Sequence, residues 1–246
     1  MLWRKQRKAL ESLHPLHRQL VEERRFSATL PAAEWTALLA SLAAHEQTIT
    51  KRKWRLPDRT AMALVPMLRV LQEDMEPGAP LGVTTDLRGA VVPDKGGEIR
   101  PLRVRPPAVS GSEKFYTDPW FLARAELRDG SVLELAVVER VRQRRILKRS
   151  RSGKTKVKVK DKPVRVVRAT RRLPKGMPVV RPAPAAPDWL AVRVQQKENG
   201  RTVLRASAKV AAHGGPGTVE PILTVVGELF RWTPPRKPAA TPRRAR

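Results

Sequence analysis

Between Glu139 and Arg172 the chain sets sixteen Lys and Arg residues against two acids, a net charge of +14 in 34 residues. Charge of that density repels itself, so the pattern in which it is laid down restricts what the segment can become. After Ser152-Gly153, Val157 and Val159 alternate with Lys156, Lys158 and Lys160. Alternation of this kind is the period of a strand with two unlike faces. The segment therefore predicts a basic β-ribbon that turns at Ser152-Gly153, and its chemistry calls for a polyanion.

Taking Ser152-Gly153 as a two-residue loop sets Arg151 opposite Lys154, Arg149 opposite Lys156, Leu147 opposite Lys158 and Arg145 opposite Lys160. One face is then almost wholly cationic. The other carries Ile146 against Val159, Lys148 against Val157 and Arg144 against Asp161. Like charges directly opposite each other destabilise a strand pair by up to about 1 kcal/mol each, and a bound polyanion turns that repulsion into attraction. The expected phosphate contacts are Arg142, Arg144, Arg145, Lys148, Arg149, Arg151, Lys154, Lys156, Lys158 and Lys160. At ~3.3 Å per residue, an arm of about nine residues per strand reaches on the order of 30 Å. That is enough to enter a major groove or follow a phosphate backbone.

The outer arm has no aromatic residue, no Asn and a single Gln, Gln143. Proteins that read single strands stack bases on aromatic platforms, so the reading favours structured RNA or duplex DNA held by its backbone. An acidic protein or an anionic membrane surface satisfies the same electrostatics, in which case the chain is a structural or adaptor protein. Lysines on an edge strand also protect it from aggregation, the least functional account of the segment.

The whole chain follows the same trend, with a formal charge of +27 over 246 residues, +4 in the first eight residues and +5 in the tail from Thr233 to Arg246. A hydrophobic content of 41% is still enough to build a core. The absence of cysteine excludes disulfides, thiolate zinc sites and cysteine nucleophiles. No run reaches the ~18 to 20 apolar residues of a spanning helix, and the basic N-terminus lacks the apolar core of a secretory signal. A cytoplasmic protein without a transmembrane segment is expected.

No reaction is indicated. Ser152-Gly153-Lys154-Thr155 ends like a phosphate-binding loop, but residue 148 is Lys where that motif needs its first glycine, and a strand follows instead of a helix. The His213-Gly214-Gly215 segment has no partner nucleophile elbow anywhere in the chain. Glu11, His14 and His17 are spaced as metal ligands on a helix, but Pro15 interrupts that helix. Asp118, before Pro119, reads as a turn residue. The chain is thus expected to be non-enzymatic, with no cofactor and no metal.

The predicted fold is α+β: a helical region over 1–76, a β-sandwich or barrel over 81–232 that carries the basic arm 139–172, and a disordered basic tail over 233–246. Leucines near Leu10–Leu20 and Trp35–Leu42 form two helical stripes. Pro15 and Pro66 are expected to break or kink helices. Short Val, Leu and Thr runs separated by Gly, Pro and Asp-Gly mark roughly eight strands, including Trp120–Leu127 into 132–141, Trp189–Gln196 into 202–210, and 218–232.

Overall fold

A computed structural model describes residues 2–150, 152–211 and 219–234. Its core is one open antiparallel sheet of eight strands: β1 (Arg25–Pro31), β2 (Pro80–Asp86), β3 (Gly96–Pro101), β4 (Ala108–Glu126), β5 (Val132–Arg149), β6 (Thr155–Arg172), β7 (Leu190–Gln196) and β8 (Thr202–Ala211). Seven of them run in the order β1-β2-β4-β5-β6-β8-β7, and β3 adds to the outer part of β4. The chain is therefore α+β, but its strands form a single sheet where a sandwich or barrel was expected. Helices, not a second sheet, cover the apolar face.

Those helices are α1 (Leu2–Glu11), α2 (Pro15–Glu23), α3 (Ala32–Ala43), the single turn α4 (His45–Thr48), α5 (Val65–Glu73) and α6 (Glu220–Phe230). Helix α3 buries Ala32, Trp35, Leu38, Leu39 and Leu42, one face at helical spacing. The Trp35 indole donates to the Leu81 carbonyl at 3.1 Å and ties α3 to β2. On the sheet, Val83, Ala123, Leu135, Ala169 and Ala206 are paired in succession across five strands and belong to the same apolar cluster as Leu38, Leu68 and Ile222. Each fully buried Val or Leu contributes roughly 1.5–3 kcal/mol, which outweighs the cost of a few like-charge pairs elsewhere in the sheet.

Two elements depart from the expected organisation. Strand β1 lies inside the helical region: Arg24 adopts a left-handed conformation (φ 62) at the end of α2 and turns the chain straight into the sheet edge. Its signal was the alternation of Phe26, Ala28 and Leu30 with Arg25, Ser27 and Thr29. Residues 220–230, expected as a strand from their Val content, form α6, because Ile222, Val225, Val226 and Leu229 share one helix face and Pro221 occupies the first turn. The prolines behave as anticipated. Pro15 starts α2, and Pro66 sits in the first turn of α5 after a π-helical turn over Thr60–Leu64.

The loops that join β4 to β5, β5 to β6 and β7 to β8 share one geometry. Gly130, Gly153 and Gly200 have φ between 75 and 79, and each donates its N–H to the carbonyl three residues earlier. The only non-glycine with positive φ among the described residues is Arg24, so these are not two-residue loops needing two such positions. Each spans three residues and ends on glycine. That extra residue decides the register of the basic arm.

His17, fully buried, links Ser41 Oγ at 2.8 Å to His45 Nδ1 at 2.9 Å, while His14 caps α2 by accepting from the Leu16 N–H. The three-residue spacing noted in the sequence thus serves helix capping and packing. Burial, reinforced by repulsion from His45 and His14, lowers the His17 pKa from 6.5 to about 4. Burial also lowers that of His45. Because the unfolded chain binds the proton first as pH falls, stability is full above pH ~6.5 and declines toward pH ~4, by on the order of 3 kcal/mol from His17. Urea titrations at both ends of that window should show this loss, and His17→Gln should reduce the difference between them.

Candidate nucleic-acid interface

The loop fixes the interface. Ser150 N–H donates to the Lys154 carbonyl at 2.9 Å, so Ser150 and Lys154 close it with three residues between them. Every pairing beyond is shifted by one from the expected register: Arg149 faces Thr155, Lys148 faces Lys156, Leu147 faces Val157, Ile146 faces Lys158, Arg145 faces Val159 and Arg144 faces Lys160. Because side chains alternate with period two, a one-residue slip changes which residues share a face. Arg142, Arg144, Lys148, Lys156, Lys158 and Lys160 do come together on one face. Arg145 and Arg149 lie on the reverse with Leu147, Val157 and Val159. Lys154 closes the loop, and Arg151 lies outside the described residues.

Three like-charge pairs now stand directly opposite each other, Lys148 with Lys156, Arg144 with Lys160 and Arg142 with Lys162. Lys162 and Arg140 complete this face. The unbroken alternation from Lys156 to Lys162 was the signal for the first of them.

The arm is wider than a ribbon. Strand β4 accompanies β5 from Glu126 opposite Val132 out to Ala108 opposite Lys148, and β3 flanks β4. The β6 side is unpaired, since β8 bonds to β6 from Val164 onward and leaves Thr155–Pro163 as an edge. On the basic face, Glu113 of β4 meets Arg144 at 3.4 Å, and Phe115 lies opposite Arg142.

The register between β5 and β6 has no irregularity, so the basic face of the arm is continuous with the helix-free face of the sheet. There Ala136, Arg168 and Ser207 form one cross-strand row, and Thr170, Arg205 and Arg193 another. A groove of about 670 Å³ opens on this face, lined by Thr84, Leu122, Arg124, Glu134, Ala136 and Arg168 among others. Glu134 pairs with both Arg124 and Arg172. The basic surface therefore extends from the arm onto the sheet.

Not every charge of the segment is offered to solvent. Arg165 and Arg171 are 3% and 2% exposed, on the face that the helices cover. The Arg171 guanidinium donates to Ser131 Oγ at 3.0 Å, to the Leu229 carbonyl at 3.3 Å and to Asp129, and it lies 4.2 Å from the centre of the Phe230 ring. It fastens α6 to the loop between β4 and β5.

At the root of the arm, Asp118, Glu139 and Arg165 stand side by side on β4, β5 and β6. Asp118 is completely buried, not in a turn. Arg59, from the helical region, pairs with Glu139 and lies 3.7 Å from Asp118, while its guanidinium rests 5.2 Å from the Trp120 ring centre. Lys95 Nζ reaches Asp118 at 2.6 Å and Asp86 at 2.9 Å, and Arg88 holds Asp86 at 2.7 Å and Asp94 at 2.8 Å. Burial raises the Asp118 pKa against the pull of Lys95. For Asp86, the bonds from Arg88 and Lys95 overcome burial and lower it. The cluster balances charge internally, as buried ions require.

Among the described residues no group of His, Asp or Glu is arranged to hold a metal ion, and no helix is long and apolar enough to cross a membrane. The His213 segment lies outside the described residues, and Gly153-Lys154-Thr155 forms the arm's loop and the start of β6. The chain matches no family model, no curated protein and no solved structure.

Arg59→Met keeps apolar bulk beside Trp120 but leaves Asp118 and Glu139 without their shared cation. Breaking a buried pair in this way costs about 3–5 kcal/mol, and chemical denaturation should show a loss in that range.

Proposed function

We propose that this protein binds structured nucleic acid, without catalysing a reaction, by holding phosphates along the basic face of the arm and the adjoining sheet. The observation that carries the reading is one-sidedness. Arg140, Arg142, Arg144 and Lys148 share a face with Lys156, Lys158, Lys160 and Lys162, and three of the resulting pairs are like charges in direct opposition. Edge protection needs only occasional lysines. A folded arm that keeps such pairs gains its full stability when phosphates are interposed, which supports a polyanion as the natural partner.

Arg142, Arg144, Lys148, Lys156, Lys158 and Lys160 are the central contacts in this reading. Arg145, Arg149 and Lys154 would serve only a strand that passes around the tip or reverse of the arm. Arg168 and Arg205 continue the phosphate track onto the sheet. The span of the arm, about 30 Å at ~3.3 Å per residue, matches a long track of duplex backbone.

Contact with ~6 phosphates gives a slope of log affinity against log salt near −5, so affinity falls roughly a thousandfold between ~50 and ~200 mM salt. The triple variant Lys156→Glu, Lys158→Glu and Lys160→Glu should reduce that slope by about 3 and weaken binding of duplex RNA or DNA in a gel-retardation assay. Its unliganded fold should become more stable, because the introduced acids face Lys148 and Arg144. Unchanged affinity would place the contact surface elsewhere. Sedimentation with anionic vesicles, without retention of nucleic acid, would replace the reading with a membrane one.

A further inference from the structure

We infer that the basic face contains a stacking site for one unpaired base, built on Phe115. This inference rests on the nucleic-acid reading and narrows it to ligands that carry an unpaired nucleotide at a loop, bulge or end.

Phe115 is 42% exposed. Its register opposite Arg142 puts it on the face that also carries Arg144, Lys160 and Lys162. On the other side, β3 changes register between Gly96 and Ile99, and no β3 residue is paired opposite Phe115. Gly97, next to the Phe115 backbone, has no side chain with which to cover the ring; a Cβ there would lie 3.5 Å from the Phe115 carbonyl. Arg100, from the same strand, holds its guanidinium 5.8 Å from the ring centre. An aromatic ring thus stands partly exposed beside the Arg100 guanidinium, with Arg142 opposite it in the sheet.

That combination suits a nucleotide. The ring offers an apolar face to a base, and Arg100 and Arg142 sit where the phosphates on either side of that base would pass. Inside a duplex both faces of each base are already occupied by its neighbours, so an internal paired base cannot use the site and an unpaired one can. A membrane-binding surface would instead need several apolar side chains at one level, whereas the neighbours of Phe115 on β4 on this face are Glu113 and Thr117. Duplex regions of the ligand then follow the lysines of β6, and the unpaired nucleotide marks the root of the arm.

The test compares full-length protein on two labelled probes, an RNA hairpin with an unpaired loop and a blunt duplex of the same stem sequence. Phe115→Ala should weaken hairpin binding roughly tenfold and leave duplex binding unchanged. Phe115→Leu, which keeps apolar bulk without a ring, should lose the same preference, and Phe115→Trp should retain it. The triple Lys-to-Glu variant at 156, 158 and 160 should weaken both probes. If Phe115→Leu or Phe115→Ala binds the hairpin as wild type does while the triple variant loses both probes, the stacking site is overturned and the phosphate-binding reading stands. Failure of wild type to retain either probe overturns both.

Discussion

Each of the eighteen residues of β5 is registered against one residue of β6, from Val132 opposite Arg172 to Arg149 opposite Thr155. Side chains alternate strictly along a strand, so this unbroken ladder transmits a single decision over its whole length. Leu133, Leu135 and Val137 must face the helices, since exposing them would forfeit the core. Arg142, Arg144 and Lys148 are thereby committed to the opposite face far beyond the last helix contact. The electrostatics of the arm are fixed by the packing at its base.

A ladder that long needs a firm root, and the buried ion cluster supplies it. Asp118, Glu139 and Arg165 occupy the positions where apolar packing gives way to the arm, and Arg59 reaches in from the helical region to join them. Ion pairs in such a place add little net stability compared with apolar packing, because desolvation consumes most of the attraction. They are specific instead: Arg59 satisfies its partners in one arrangement of helix and strand. The interior thus holds balanced charge, while most of the arm's surplus lies on the helix-free face.

This division gives the two faces of the arm different properties. The reverse face carries Leu147, Val157 and Val159, of which Val157 and Val159 are 45% and 53% exposed, together with Arg145 and Arg149. The basic face collects the lysines of β6 and, through β4, one exposed aromatic ring. The basic side chains and the Phe115 ring share one face because β4 and β5 are paired along the whole arm.

Much of this was legible in residue order. The α+β class, the three glycine-containing hairpin loops, the breaks at Pro15 and Pro66 and the concentration of charge over 139–172 all follow from local chemistry, since turn dihedrals, proline geometry and alternation act over a few residues. The arm's register was not, because two-residue and three-residue loops can both contain Gly153 and differ only in where the ladder closes. Strand β1 and helix α6 escaped local reading because a short apolar run takes its conformation from the surface it meets. The outer half of β4, rich in Ser, Glu and Lys, has little strand signal of its own, and it extends because β5 offers it a partner.

By itself, then, the sequence determined that this chain carries a dense basic ribbon on an α+β body, because charge and period two are properties of neighbouring residues. Only the tertiary structure decided which of those charges face together, that Arg165 and Arg171 turn inward, and that Phe115 joins the basic face. Each of those outcomes depends on pairing between residues distant in the chain, and a one-residue difference in loop closure reverses them.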